Sequence, residues 1–255
     1  MNKNKISQIP LVLLCGGKGI LIEKNKKFSR INKGLIEIFN KPLFLWIIDY
    51  YQKFGVKKII LSTGFQHETY IRVLEKEFTK INNYKFINKN KSLIIIKKEK
   101  VDTNTGIRVL NAKKLLGKFE DVFVHYSDTI ADINFLAQYS YHKKKKNLAT
   151  LVSANLPSRF RILNMNLVNN NIVGFSKKLI IKNSLINGGF YIFSHKFFSK
   201  EIIDKSCNAL ELKPLEKISK INKLGCFMHI GQWQHLDSEK DINLIKVLIK
   251  NSFIS

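Results

Sequence analysis

A chain of 255 residues with 45% hydrophobic content can bury a sizeable core, as one large domain or two small ones. Its three cysteines, Cys15, Cys207 and Cys226, are too few and too scattered for a disulfide framework or a zinc site, and they read as buried thiols of a reducing compartment. The net charge of +25 would suit nucleic acid or an anionic membrane. However, only five of the 44 basic residues are arginine (Arg30, Arg72, Arg108, Arg159, Arg161), and the dispersed lysines argue against a nucleic-acid reader.

In chain order, the first element is the apolar run Pro10 to Leu14, too short for a leader h-region and read as a buried strand. It closes on Cys15-Gly16-Gly17-Lys18-Gly19. Pro42 to Phe54 has helical apolar spacing, with Gly55 placed as its C-terminal glycine. A strand follows at Lys57 to Ser62, a helix at His67 to Phe78 and a strand at Ser92 to Ile96. Thr105 to Leu116 reads as a helix, and Asp121 to Tyr126 as a buried strand ending at Ser127-Asp128. Beyond it come a helix from Ile133 to His142, a strand from Ala149 to Ala154 and a hairpin from Ile162 to Phe175 turning at Asn169-Asn170-Asn171. The basic run Lys143 to Lys146 reads as a solvated helix end.

Asn187-Gly188-Gly189 leads into a strand at Phe190 to Phe193. Helices are expected at Lys196 to Asp204 and Leu212 to Ile221, a strand at Cys226 to Ile230 and a last helix at Ser238 to Lys250. No stretch reaches the roughly 18–20 apolar residues of a membrane span. Strands alternating with amphipathic helices define an α/β protein with a mostly parallel sheet.

A glycine-rich loop after a strand presents free backbone N–H groups at the carboxyl end of the sheet, where nucleotides bind. Gly16 and Gly17 would let a phosphate chain approach, since a Cβ there would collide with it; a plain turn is the alternative. Lys33 is a candidate phosphate clamp or, equally, a solvated lysine. Asp128 is either a metal ligand or a turn aspartate, and Asp237 either a ligand or an N-cap of the last helix. Asp132 reads as the N-cap of the helix that follows it.

The segments Leu13-Leu14-Cys15-Gly16-Gly17-Lys18-Gly19, Lys33-Gly34-Leu35-Ile36-Glu37-Ile38 and Lys41-Pro42-Leu43 resemble the opening signature of the sugar-1-phosphate nucleotidylyltransferases. Further matches are Thr105-Gly106-Ile107-Arg108, Ser127 to Asp132, Pro157-Ser158-Arg159-Phe160, Ile186 to Phe190 and Gly231 to Asp237. The last and the Ser127 segment lean toward the glucose-1-phosphate cytidylyltransferase branch. The resemblance implies a Rossmann-like three-layer sandwich in a single domain, 1–255, with a nucleotide-binding N-terminal half and a sugar-phosphate-binding C-terminal half. It implies a cytoplasmic enzyme of surface-polysaccharide synthesis, joining a nucleoside triphosphate (CTP) to a sugar 1-phosphate with Mg2+, and admits a homo-oligomer.

By the same resemblance, Asp128 and Asp237 hold the magnesium and Lys33 meets the α-phosphate. Gly16, Gly17, Lys18, Gly19, Thr105, Arg108 and Ser127 line the nucleotide or substrate, Lys178 meets the sugar phosphate, and Asn187, Gly188 and Gly189 face the sugar. Three departures stand out. Ile20-Leu21-Ile22 replaces the family's Thr-Arg-Leu, so the pyrophosphate-gripping arginine is absent. Lys177-Lys178-Leu179 replaces Glu-Lys-Pro, and Ser127 replaces a glycine. Another nucleotide or acceptor, or a silent nucleotide-binding relative, are the alternatives these changes leave.

Overall fold

The run Leu11–Cys15 forms a strand buried at all five positions, as a strand covered on both faces must be. The computed structural model describes residues 6–24, 27–89, 91–155, 162–166, 171–176, 185–207 and 209–254. Among them, nine strands make one sheet: β1 (Leu11–Cys15), β2 (Lys58–Thr63), β3 (Thr79–Asn82), β4 (Lys85–Ile87), β5 (Leu93–Lys98), β6 (Asp121–Tyr126), β7 (Ala149–Asn155), β8 (Leu185–Ser194) and β9 (Leu224–Met228). Their spatial order is β9-β7-β8-β6-β1-β2-β5-β4-β3. The centre β6-β1-β2-β5 is parallel, β8 runs antiparallel between β6 and β7, and β4 and β3 form an antiparallel edge.

Among the described residues six α-helices cover the sheet: α1 (Leu43–Lys53), α2 (His67–Glu77), α3 (Thr105–Leu116), α4 (Phe135–Lys145), α5 (Lys213–Lys220) and α6 (Glu239–Ser252). Two apolar layers result, and the pleat of β1 feeds both. Leu11, Leu13 and Cys15 face the layer built with Phe44, Tyr51, Tyr70, Phe135 and Ile245; Val12 and Leu14 face the one built with Val109, Ala112 and Ile218. Each fully buried aliphatic chain contributes roughly 1.5–3 kcal/mol of transfer free energy. The result is the α/β protein with a mostly parallel centre that the element pattern anticipates, arranged as the three-layer sandwich that the resemblance implies.

Several expectations need correction. The segment Lys196 to Asp204 is not a helix but a single 3-10 turn, His195–Phe198. Phe198 and Ile203 both enter the core, yet five residues of α-helix rotate by about 140°, so one helix could not have aimed both there. Asp132 does not cap α4: Asn134 does, accepting from Ala137 N at 3.0 Å, while Asp132 pairs with His229 at 3.0 Å. The strands β3 and β4, and two ribbons pairing Ile20–Lys24 with Lys27–Ile31 and Thr129–Ala131 with Trp233–His235, carry too little apolar alternation to read from sequence. The hairpin at Ile162–Asn166 and Asn171–Ser176 forms as expected; its turn lies outside the described residues. Among the described residues no helix is long and apolar enough to cross a membrane.

Not every thiol is buried. Cys15 and Cys207 are, but Cys226 lies exposed on the edge strand β9. Burial pushes the Cys15 thiol up to about 12, which suppresses the nucleophilic thiolate. Brief treatment of the native protein with iodoacetamide is expected to modify Cys226 and spare Cys15, read by peptide mass mapping; equal labelling of both would contradict this packing.

Burial also holds His125 neutral, with its pKa driven down to about 3, and the ring stacks on Phe190 with centroids 3.7 Å apart. An unfolded histidine titrates near 6.5. Below that pH the unfolded chain takes up a proton that the folded protein refuses, so this site removes stability as pH falls from 6.5 toward 3. His125→Phe is expected to lose less of its urea midpoint between pH 7 and pH 5 than the unaltered protein; equal losses would count against it.

Candidate active site

The loop after β1 uses its glycines for different reasons. A Cβ on Gly16 would sit 2.0 Å from the Arg108 guanidinium carbon, and one on Gly19 (φ +78°) would sit 2.1 Å from Ile31 O. Gly17 alone has nothing within 4 Å of that position. Close approach of a ligand is therefore an argument for Gly17; at Gly16 the crowding comes from the protein itself. Lys18 ends the loop in an exposed ion pair with Asp102 (2.7 Å), a contact worth little in water.

Arg108, expected to line the ligand, also has a structural task. It is 3% exposed, with its donors taken by carbonyls: Nε by Thr103 (2.8 Å), Nη1 by Thr63 (3.0 Å), and Nη2 by Lys100 (2.8 Å), Val101 (3.2 Å) and Gly16 (3.3 Å). A guanidinium so committed staples the loops after β1 and β5 to the end of β2, and it also lines the cavity described below. Asn32 does similar work below the loop, donating to Cys15 O and Gly17 O at 2.9 Å each while its Oδ1 accepts from Tyr70 OH at 2.8 Å. Nothing in the sequence around Asn32 marks this role.

Lys33 opens a 3-10 turn, Lys33–Leu35, whose first peptide is fixed by Asn32. Its Nζ lies 3.1 Å from Asp128 Oδ2, 2.9 Å from Asp237 Oδ1 and 3.5 Å from His235 Nε2. The ribbon between Thr129–Ala131 and Trp233–His235 makes this meeting possible: Thr129 pairs with His235, and Leu236 N donates to Asp128 O at 2.8 Å. Asp128 at the end of β6 and Asp237 at the start of α6 are thereby held side by side. The alternative role for Asp237 is filled by Ser238, which caps that helix in a capping box: its side chain accepts from the backbone of Asp241, and Asp241 Oδ2 accepts in return from Ser238 N at 2.8 Å. Burial lowers the pKa of Lys33, but the two carboxylates more than reverse it, so the ammonium stays charged. Burial raises Asp237, and the Lys33 hydrogen bond with neighbouring His235 and Lys33 charge brings it below the usual carboxylate value.

A cavity of about 570 Å³ opens here, lined by Gly17, Lys33, Asp128, Thr105, Tyr126 and Glu211 among others, a size that fits a nucleotide-scale ligand. Ser127 lines it too, buried with its N–H on Leu14 O at 3.1 Å. Thr105 accepts from Leu210 N at 2.9 Å. Asn187 donates to Tyr191 OH at 2.5 Å, Gly188 O accepts the Trp233 indole at 2.9 Å, and Gly189 takes φ +80°. Lys178 and the Pro157 to Phe160 segment lie outside the described residues. Sequence reading missed Asn32, Tyr126, His235 as a partner of Lys33, and Glu211; only His235 carried a signal, inside the Trp233-to-Asp237 segment.

Among the described residues no three His, Cys, Asp or Glu side chains form a closed metal cage. Two carboxylates converging on one cation position suit a hard divalent ion that draws its other ligands from phosphate oxygens and water. Hard oxygen donors, a lysine and a glycine loop at the carboxyl edge of a parallel sheet are the parts of a phosphoryl-transfer enzyme of the α/β nucleotide-binding class.

No family model matches the sequence. A probable glucose-1-phosphate cytidylyltransferase of Bacillus subtilis is 30% identical over 250 residues, 92% of this chain and 93% of the relative. The glucose-1-phosphate cytidylyltransferase of Salmonella typhimurium is 25% identical over 241 residues, covering 90% of this chain and 91% of the relative. The crystal structure of HddC from Yersinia pseudotuberculosis complexed with GMP-PN superposes with a TM-score of 0.66 at 19% identity, over 94% of this chain and 98% of that one. The chain belongs to the sugar-1-phosphate nucleotidylyltransferases, enzymes that join a sugar 1-phosphate to a nucleoside triphosphate and release pyrophosphate.

Proposed function

We propose that the chain, as a single domain, transfers the cytidylyl group of CTP to glucose 1-phosphate, in the cytoplasm and for the synthesis of surface polysaccharide. The single observation that carries the catalytic reading is the convergence of Asp128 and Asp237 on Lys33 Nζ, at 3.1 and 2.9 Å. The cytidylyl and glucosyl assignments rest on the kinship with the Bacillus and Salmonella enzymes.

In the reaction a phosphate oxygen of the sugar 1-phosphate attacks the α-phosphorus. The bond to the β-phosphate oxygen breaks, and pyrophosphate leaves with the electron pair. Little covalent work falls to the protein; it must place the reactants in line and offset accumulating negative charge. Lys33 supplies a fixed ammonium beside the α-phosphate, preorganised by its carboxylate partners. Gly17 leaves the backbone open to the triphosphate, and Lys18, released from an exposed pair, is the nearest loop cation for the pyrophosphate end. Asp128 and Asp237 would hold Mg2+, which when bound screens the phosphate oxygens. Asn187, Gly188 and Gly189 form the acceptor side.

The test is a matrix of CTP, UTP, GTP and TTP against several sugar 1-phosphates, scored by pyrophosphate release with Mg2+ and with EDTA. CTP with glucose 1-phosphate should give the highest rate, and EDTA should remove it. No pyrophosphate from any pair would sink the reading.

A further inference from the structure

Glu211 is a carboxylate on the wall of the same cavity that the phosphate chemistry leaves unused. It precedes α5, and three parts of the fold hold it. Its Oε1 accepts the hydroxyl of Tyr126, from the end of β6, and that of Tyr191, from β8, at 3.4 Å. Its Oε2 faces Thr105 Oγ1, at the start of α3, at 3.5 Å. Tyr191 is in turn fixed by Asn187 Nδ2 at 2.5 Å. A carboxylate in this position repels a triphosphate, so this end of the cavity is built for an uncharged part of a ligand that carries hydrogen-bond donors.

Two of the three side chains fixing Glu211, Tyr126 and Tyr191, stand on β6 and β8, and the chain of hydrogen bonds continues into the Asn187-Gly188-Gly189 segment. The proposed function gives that segment to the acceptor sugar. Partial burial raises the pKa of Glu211, which agrees with a carboxylate kept away from bulk water.

We propose that Glu211 is a specificity-determining residue, accepting a hydrogen bond from a ring hydroxyl of the sugar 1-phosphate, with Tyr126 and Tyr191 as the positioning residues that aim it. This rests on the transferase reading given above. A charge-assisted hydrogen bond of this kind is lost when the hydroxyl is absent, and the discrimination expected is about 10- to 100-fold in kcat/KM.

The experiment compares sugar 1-phosphates lacking one hydroxyl at a time, using the unaltered enzyme, Glu211→Gln, Glu211→Asp and Tyr126→Phe. The unaltered enzyme should lose about 10- to 100-fold in kcat/KM with one particular monodeoxy compound while the KM for the nucleotide stays constant. Glu211→Gln should treat that compound and its parent nearly alike, with Glu211→Asp and Tyr126→Phe in between. The ratio is internal to each variant, so a change in folded fraction cancels from it. Turnover with the wild-type ratio preserved in Glu211→Gln, or a rise confined to the nucleotide KM, overturns the assignment of Glu211 alone. Absence of turnover by the unaltered enzyme with every pair removes the transferase reading and this one with it.

Discussion

Asp128→Asn is expected to lower kcat/KM by about 10³-fold, near 4 kcal/mol of transition-state stabilisation, while the melting temperature shifts by only a few degrees. The amide keeps the shape of the side chain and its place after β6. What it removes is a negative charge 3.1 Å from Lys33 Nζ, and with it half of the carboxylate pair that suits a divalent ion. Stability changes little because the pair is partly exposed, with side-chain exposures of 21% and 25% for Lys33 and Asp128, and such pairs contribute about 0–1 kcal/mol. The measurement is pyrophosphate release at saturating Mg2+ beside a thermal melt. Retained activity would remove Asp128 from the catalytic group, and a collapse of the melt would make its role structural.

Arg108→Met should act the other way round, on stability first. The substitution keeps much of the aliphatic stem and deletes the donors that the carbonyls of Thr103 and Gly16 receive from this side chain. Leaving buried acceptors unmet costs about 1–3 kcal/mol each before water re-enters. A net loss of at least about 3 kcal/mol in urea denaturation is the expected result. Arg108→Lys should recover little of it, because one ammonium carries three donors without the planar fork that spans three segments. Activity falls with it, since Gly16 and the loop ahead of Thr105 lose their common anchor. Undiminished stability with a raised KM would instead make Arg108 a direct substrate ligand, as its place in the family motif implies.

The site was legible in part, and the division has a physical logic. Lys33, Asp128 and Asp237 were picked out by resemblance, and they do meet, although residue 237 lies 204 positions from residue 33. What the pattern could not convey is that Lys33 bridges both carboxylates, because the ribbon that aligns them rests on two three-residue strands of mixed polarity, Thr129–Ala131 buried and Trp233–His235 half-buried. The structural task of Arg108 escaped the sequence for a related reason. A sequence motif records which residue type is needed, whereas the direction of its side chain depends on segments at the ends of three different strands. Glu211 escaped notice since its partners, Thr105, Tyr126 and Tyr191, are 106, 85 and 20 residues away.

The amino-acid sequence by itself determined the α/β class, the central strands and most helices, because burial on both faces of a parallel sheet leaves continuous apolar runs and amphipathic helices show their period locally. It also determined the glycine loop, since φ +78° at Gly19 and the missing room at Gly16 are demands on single positions. The tertiary structure alone decided which polar groups work on ligand and which on the protein. Hydrogen bonding and charge are satisfied over a few ångströms in space, without regard to distance along the chain. For that reason Arg108 became a staple, Glu211 came to line the cavity, and two distant aspartates came to share one lysine.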